Sequence, residues 1–297
     1  MDDSRKHELQ PPKMLVIVGE TASGKSALAH RLALQFDGEI ICADSWSVYC
    51  DFDIGTAKPS PEEQREVRYH LLDVADPVEG FSAAVFQRLA YAAIEDIARR
   101  GKLPIVVGGT GLYVDSVLFG YEFLPAPAPE LRDRLNSLSL VELLDEAERL
   151  GLNTTDIDTR NKRRVIRLIE NNGRLPGKRP MRENTLVLGL QLPAEELRGR
   201  MAKRVEAMLA AGLEAEVRRL SERYGWEAEP MKGISYREWR DYFSGAQTLD
   251  TTKQQIIKDT VDLAKRQRTW FKRNKSINYL CNFEEAVELT TTFLNKS

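Results

Sequence analysis

Eight consecutive residues, Gly19-Glu20-Thr21-Ala22-Ser23-Gly24-Lys25-Ser26, fit the pattern G-x-x-x-x-G-K-[ST] at every required position. The apolar run Met14-Leu15-Val16-Ile17-Val18 precedes them, and Ala27-Leu28-Ala29-His30-Arg31-Leu32-Ala33 follows, so strand, glycine-rich loop and helix are expected in that order. The glycines let backbone N–H groups curl around phosphate oxygens, and the helix adds the positive end of its dipole. Lys25 is placed to reach a terminal phosphate and the Ser26 hydroxyl to ligand Mg²⁺. A glycine-rich turn without a ligand is the bland alternative. The loop by itself leaves open which phosphates it holds, and whether they are transferred, cleaved or released.

The rest of the chain extends this start. Glu39-Ile40-Ile41-Cys42-Ala43 reads as a second short strand and ends at Asp44-Ser45, a carboxylate at the carboxyl end of a strand, where open α/β sheets bind ligands. Ser82 is a candidate N-cap for a helix with Phe86, Leu89, Ala93, Ile94 and Ile97 at helical spacing, closed by Gly101. Leu103-Pro104-Ile105-Val106-Val107 is a buried-type strand running into Gly108-Gly109-Thr110-Gly111. Val107 is followed by glycine where a motor or standard nucleotide hydrolase carries an acid, which counts against those classes. Alternating strands and helices imply an α/β fold: a P-loop NTPase-like parallel sheet flanked by helices.

Pro125-Ala126-Pro127-Ala128-Pro129 breaks that pattern, and the leucine spacing beyond it predicts an all-α insertion. The expected organisation is a flexible tail over 1–13, a core from 14–123 and 183–297, and an insertion over 124–182. From Arg160 to Arg182 the chain carries nine Lys/Arg against the single acid Glu170, although the whole chain has a net charge of only −2. Such a run is either solvated surface or a polyanion-binding face. A second basic concentration, Lys265 to Lys275, surrounds Trp270, which is assigned mainly to packing. Cys42, Cys50 and Cys281 form no CxxC pair, so neither a zinc site nor a disulfide framework is expected, and a reducing, cytoplasmic setting follows. No run approaches the ~18 apolar residues of a membrane span.

Taken together, Gly19 to Ser26, Asp44-Ser45, Val48-Tyr49, Asp53-Ile54-Gly55-Thr56-Ala57-Lys58-Pro59, Gly108 to Tyr113, Arg164-Val165-Ile166-Arg167, Tyr236-Arg237-Glu238 and Lys265-Arg266-Gln267 with Thr269-Trp270-Phe271 resemble the tRNA dimethylallyltransferases. That family transfers an isopentenyl group to N6 of adenosine 37, beside the anticodon, in tRNAs reading codons that begin with U. The resemblance runs from about Met14 to Phe271 in family order. This chain departs from the family at Glu20 (usually Pro), Ser47 (often Gln) and Ser235 (usually Gly), and its insertion is shorter.

The resemblance implies that Gly19, Glu20, Thr21, Ala22, Ser23, Gly24, Lys25 and Ser26, with Arg204, bind the diphosphate of dimethylallyl diphosphate, and that Mg²⁺ sits on Ser26. It implies catalytic roles for Asp44 as base, for Thr21 near the bridging oxygen, for Thr110 and for Arg204. It also implies contacts to the tRNA anticodon stem-loop from Asp44, Ser45, Trp46, Ser47, Thr110, Arg132, Arg163, Arg164, Arg167, Lys232, Gly233, Ile234, Ser235, Tyr236 and Arg237. A monomer is expected. Rival readings remain: a small-molecule kinase with Asp44 as its base, an isopentenyltransferase acting on free adenylate, and a non-catalytic RNA-binding switch.

Overall fold

The computed structural model describes residues 10–125 and 127–296. Six strands form one wholly parallel sheet: β1 (Met14–Gly19), β2 (Gly38–Cys42), β3 (Tyr69–His70), β4 (Leu103–Gly108), β5 (Thr185–Leu190) and β6 (Ile277–Tyr279), in the spatial order β3-β2-β4-β1-β5-β6. The central strands are continuous apolar runs buried on both faces, as helix-covered parallel strands must be. The register sets Val18 beside both Gly108 and Gly189, so the two glycine-rich strand ends lie on one edge of the sheet.

The helices are α1 (Lys25–Gln35), α2 (Pro61–Glu66), α3 (Ala83–Arg99), α4 (Gly111–Leu118), α5 (Pro129–Ser137), α6 (Leu140–Arg149), α7 (Lys162–Glu170), α8 (Ala194–Ala210), α9 (Leu213–Tyr224), α10 (Trp239–Phe243), α11 (Leu249–Phe271) and α12 (Phe283–Asn295). Side-chain caps define several starts. Ser82 accepts from the Val85 amide ahead of α3, and Ser60 and Ser139 form capping boxes with Glu63 and Glu142. One face of the sheet, including Leu15, Ile17, Ile40, Cys42, Ile105 and Val107, packs with α1 and α12. A second apolar cluster joins the loop residues Val48, Tyr49 and Phe52 to α8, α9 and α11.

The chain divides into two compact units. One comprises the residues up to Leu118 and from Met181 onward, and the other is Phe119–Pro180. The second starts earlier than the expected 124 and ends before the expected 182. It contains α5, α6 and α7 around Leu135, Leu143, Ala147, Val165, Ile166 and Ile169. Of the expected flexible tail, residues 1–9 lie outside the described residues. The last three are tied down: the carbonyls of Pro11 and Pro12 accept from Asn184 and Arg182, and Lys13 Nζ donates to the Leu294 carbonyl at 2.8 Å. β6 is not expected from the sequence, because a three-residue edge strand is too short to carry a periodic signal.

Candidate active site

The glycine-rich loop leaves β1 in a conformation that only some residues tolerate. Ala22 has φ 62° and Gly24 has φ 95°, and these left-handed residues turn successive amides inward. The Ser23 amide is spent on the Glu20 carbonyl at 3.1 Å, and the Thr21 amide on Gln267 Oε1 at 2.8 Å. Among the described residues, the amides of Ala22, Gly24, Lys25 and Ser26 meet no protein acceptor. Ser23 Oγ is likewise buried without a partner. Orphan donors of this kind at a helix start are the groups that an anion can satisfy.

Its cations are also unmatched. Among the described residues Lys25 reaches only the Glu20 carbonyl, at 3.4 Å, and burial pushes its ammonium down to about 8, partly countered by Asp44 and reinforced by Arg204. Arg204, on α8, donates to no protein group among the described residues, and burial lowers its pKa while Asp44 raises it. Thr21, Asp44 and Arg204 line one open cleft of about 570 Å³, whose other walls are largely apolar: Met201, Val205 and Met208 of α8, Ile256 and Leu263 of α11, with Ile234 and Trp46.

Asp44 is oriented by its own loop. Its Oδ1 accepts from the Trp46 and Ser47 amides at 2.9 and 3.3 Å, leaving Oδ2 without a protein donor among the described residues. Ser45 N donates to Thr110 Oγ1 at 3.0 Å, tying the Asp44 turn to the second glycine-rich strand end. Trp46 packs on Gly233, where a Cβ would come within 3.2 Å of the indole. Ser47 is buried and does not line the cleft, so its expected contact with RNA is not available at this surface.

Several expected site residues have other occupations. The Glu20 carboxylate, 2% exposed, turns away from the loop and receives a bidentate pair from Arg268 (2.8 and 2.7 Å) and the Leu192 amide (3.0 Å). Its backbone carbonyl, not its side chain, belongs to the cradle. Tyr236 is buried against Gly55, where a Cβ would lie 2.4 Å from its ring, and its hydroxyl donates to Glu216 at 2.8 Å. It is therefore a support, not an RNA-facing surface. Arg237 is paired with Asp259 at 2.6 Å and with Glu238 at 3.1 Å, and burial pushes the Glu238 carboxyl up to about 7. In the helical unit, Arg132 and Arg167 both clasp Glu170, the lone acid of the basic run, whose side chain is fully buried. Arg163 and Arg164 lie exposed on α7, and Lys232 is half-exposed beside Glu229. Ser235 holds φ 77°, which explains why glycine suits that position.

Residues outside those expectations complete the site. Glu216 of α9 accepts from the amides of Asp53, Ile54 and Gly55, while Lys58 bridges Asp53, Asp73 and the Tyr49 carbonyl. These bonds fold the Asp53–Lys58 loop, which supplies Gly55 and Thr56 to the cleft. Gln267 binds Thr21 and Gly109 together. Trp270 packs over Gly111 and donates to Asp115 at 2.8 Å, a packing role. The sequence signal for Gln267 is its place in Lys265-Arg266-Gln267. For Glu216 there is none, because the amides it binds, those of Asp53, Ile54 and Gly55, lie more than 160 residues away.

A parallel sheet with a cradle of free amides, two cations that meet no carboxylate among the described residues, and a carboxylate beside an apolar wall defines a P-loop protein suited to handling a phosphorylated substrate with a hydrocarbon part. A model of the IPP transferase family matches residues 47–274, and the chain belongs to that family. The tRNA dimethylallyltransferase of Roseiflexus sp. (strain RS-1) is 45% identical over 278 residues, spanning 88% of this chain and 90% of that protein. Among solved structures, the full-length tRNA isopentenylpyrophosphate transferase of Bacillus halodurans matches with a TM-score of 0.73 at 34% identity, over 95% of each chain. A eukaryotic dimethylallyltransferase acting on tRNA matches with a TM-score of 0.81 at 27% identity, over 95% of this chain and 79% of that one.

Proposed function

We propose that the protein transfers a dimethylallyl group from dimethylallyl diphosphate to N6 of adenosine 37 in tRNAs reading codons that begin with U, releasing diphosphate. The observation that carries this reading is the cleft in which Arg204, Thr21 and Asp44 meet an apolar wall. A kinase of small molecules would have no use for that wall, and a free-adenylate enzyme would leave the exposed arginines of α7 idle.

The loop amides, Lys25 and Arg204 take up charge building on the departing diphosphate as the carbon–oxygen bond breaks. Arg204 suits this because a planar guanidinium binds phosphate oxygens in pairs. Thr21 lines the same cleft as Arg204. As N6 bonds to the allylic carbon, its proton passes to the open Oδ2 of Asp44, while Oδ1 stays held by two amides. Thr110 acts through Ser45, holding the turn that carries Asp44.

Mg²⁺ fits the donor set at the loop. The described residues contain no cluster of three metal-binding side chains, and an ion that keeps most of its waters needs little beyond the Ser26 hydroxyl and phosphate oxygens. Bound there, it would add positive charge against the diphosphate.

The adenine must leave its stack, which costs least in a single-stranded loop. Trp46, Ile234 and Ser235 line its approach to Asp44. On the helical unit, Arg163 and Arg164 contact RNA phosphates, and on the sheet unit Lys232 does so, making binding salt-sensitive. The enzyme works as a cytoplasmic monomer; among the described residues no helix is long and apolar enough to cross a membrane. Incubation with dimethylallyl diphosphate, Mg²⁺ and unmodified tRNA, followed by mass spectrometry of the digested RNA, tests the reading. Isopentenyladenosine at position 37 is expected, and its absence would sink it.

A further inference from the structure

Gln267 of α11 is 8% exposed, and both ends of its carboxamide are in use. Its Oε1 accepts from the Thr21 amide at 2.8 Å and from the Thr21 hydroxyl at 3.2 Å. Its Nε2 donates to the Gly109 carbonyl at 3.0 Å. A Cβ on Gly109 would lie 2.4 Å from that nitrogen, so the absence of a side chain there is what admits the carboxamide. Thr110 follows directly and accepts from the Ser45 amide, one peptide from Asp44. A single buried side chain therefore closes a continuous path from the anion cradle to the carboxylate.

We propose that Gln267 is a positioning residue for the transfer: it fixes the separation between the diphosphate cradle at Thr21 and the acceptor side at Gly109–Thr110, and holds the Thr21 hydroxyl until the diphosphate claims it. This rests on the functional reading above. The amide bond to Oε1 is the shorter of the two from Thr21, so the carboxamide stays anchored when the hydroxyl turns to a phosphate oxygen. Without Gln267, the Thr21 amide and the Gly109 carbonyl both lose their partners, and the two loops are free to drift. A drift of about 1 Å between reacting groups costs on the order of 100-fold in rate. Of the charged groups around Gln267, Arg268 pairs with Glu20, Lys265 pairs with Asp262, and Arg266 is exposed to solvent.

A carboxylate at position 267 would still accept from Thr21 but would repel the Gly109 carbonyl; once protonated it could serve both. The test compares wild type, Gln267→Glu and Gln267→Leu for turnover, for the Michaelis constants of dimethylallyl diphosphate and RNA, for melting temperature, and for inorganic pyrophosphate binding by calorimetry. Gln267→Leu should lose turnover on the order of 100-fold while keeping its RNA Michaelis constant and pyrophosphate affinity close to wild type. Gln267→Glu should show a deficit near neutral pH that closes as the pH falls, a limb missing from the wild-type profile. Wild-type turnover in Gln267→Leu, or a Gln267→Glu profile parallel to wild type, overturns the proposal. If the leucine variant does not fold, the glutamate limb decides alone. A wild-type protein that binds pyrophosphate but transfers nothing overturns the functional reading, and the positioning role with it.

Discussion

The two glycine-rich strand ends, Gly19–Ser26 after β1 and Gly108–Gly111 after β4, look alike in composition and lie on adjacent strands. Gly24 of the first and the glycines of the second use the missing side chain in opposite ways. At the first, Gly24 takes φ 95°, and a Cβ there would meet only Arg200 Nη1 at 4.0 Å, so the conformation opens space that a ligand can fill. At the second, the missing side chains are already replaced by protein. A Cβ on Gly108 would lie 2.0 Å from the Ala43 carbonyl, on Gly109 2.4 Å from Gln267, and on Gly111 2.4 Å from Trp270. Gly24 leaves room for something to arrive, whereas Gly19, where a Cβ would lie 2.8 Å from the Leu190 carbonyl, and the three glycines of the second loop let the protein close on itself.

That contrast can be broken experimentally. The largest effect should come from the carboxylate which the second loop holds in place. Asp44→Asn keeps an oxygen to cap the Trp46 amide, so tRNA binding and melting temperature should persist while turnover falls about 10²–10⁴-fold. Near-wild-type turnover would remove Asp44 as the base. Gly108→Ala should strike the fold instead, costing about 3 kcal/mol or more in denaturant unfolding, because its neighbour is backbone and cannot swing aside. Gly24→Ala should cost only roughly 1–2 kcal/mol of stability, for a left-handed alanine, with a disproportionate loss of pyrophosphate binding. If the two glycine variants lost stability alike and bound pyrophosphate alike, the contrast between the loops would fail.

The smallest effect is a pH dependence confined to the first loop. Burial holds Lys25 at about 8 in the free protein, below its usual 10.5. Diphosphate binding favours the charged form, so above about pH 8 binding must take up a proton, and affinity should fall by up to about tenfold per pH unit until the pKa of the complex is reached. Lys25→Met should bind more weakly and lose this part of the slope, which separates it from titration of the ligand itself.

The cradle was legible because its residues are contiguous and each has a local duty: glycines for φ, Lys25 for charge, Ser26 for a hydroxyl. The order of strand and helix around it was legible for the same reason, through apolar runs and the Ser82 cap. What escaped depends on distant partners. Tyr236 and Arg237 carry residue types common at RNA surfaces, yet Glu216 and Asp259 claim them, and only the folded chain brings those acids near. Arg167 reads as part of a basic face, and Arg132 as an RNA contact through the resemblance, until Glu170 takes both. Glu20 departs from the family residue, and the structure shows why it is accommodated: Arg268, far along the sequence, neutralises it.

Glu216 has a consequence for the order of events in catalysis. Its carboxylate fills the turn Asp53–Ile54–Gly55 much as a phosphate would fill the first loop, but it is covalently part of the chain and never leaves. The wall that Gly55 and Thr56 present to the cleft is therefore set during folding, and its conformational entropy is already lost before RNA is met. A permanent internal anion shapes one side of the reaction chamber, and a transient one completes the other with every turnover.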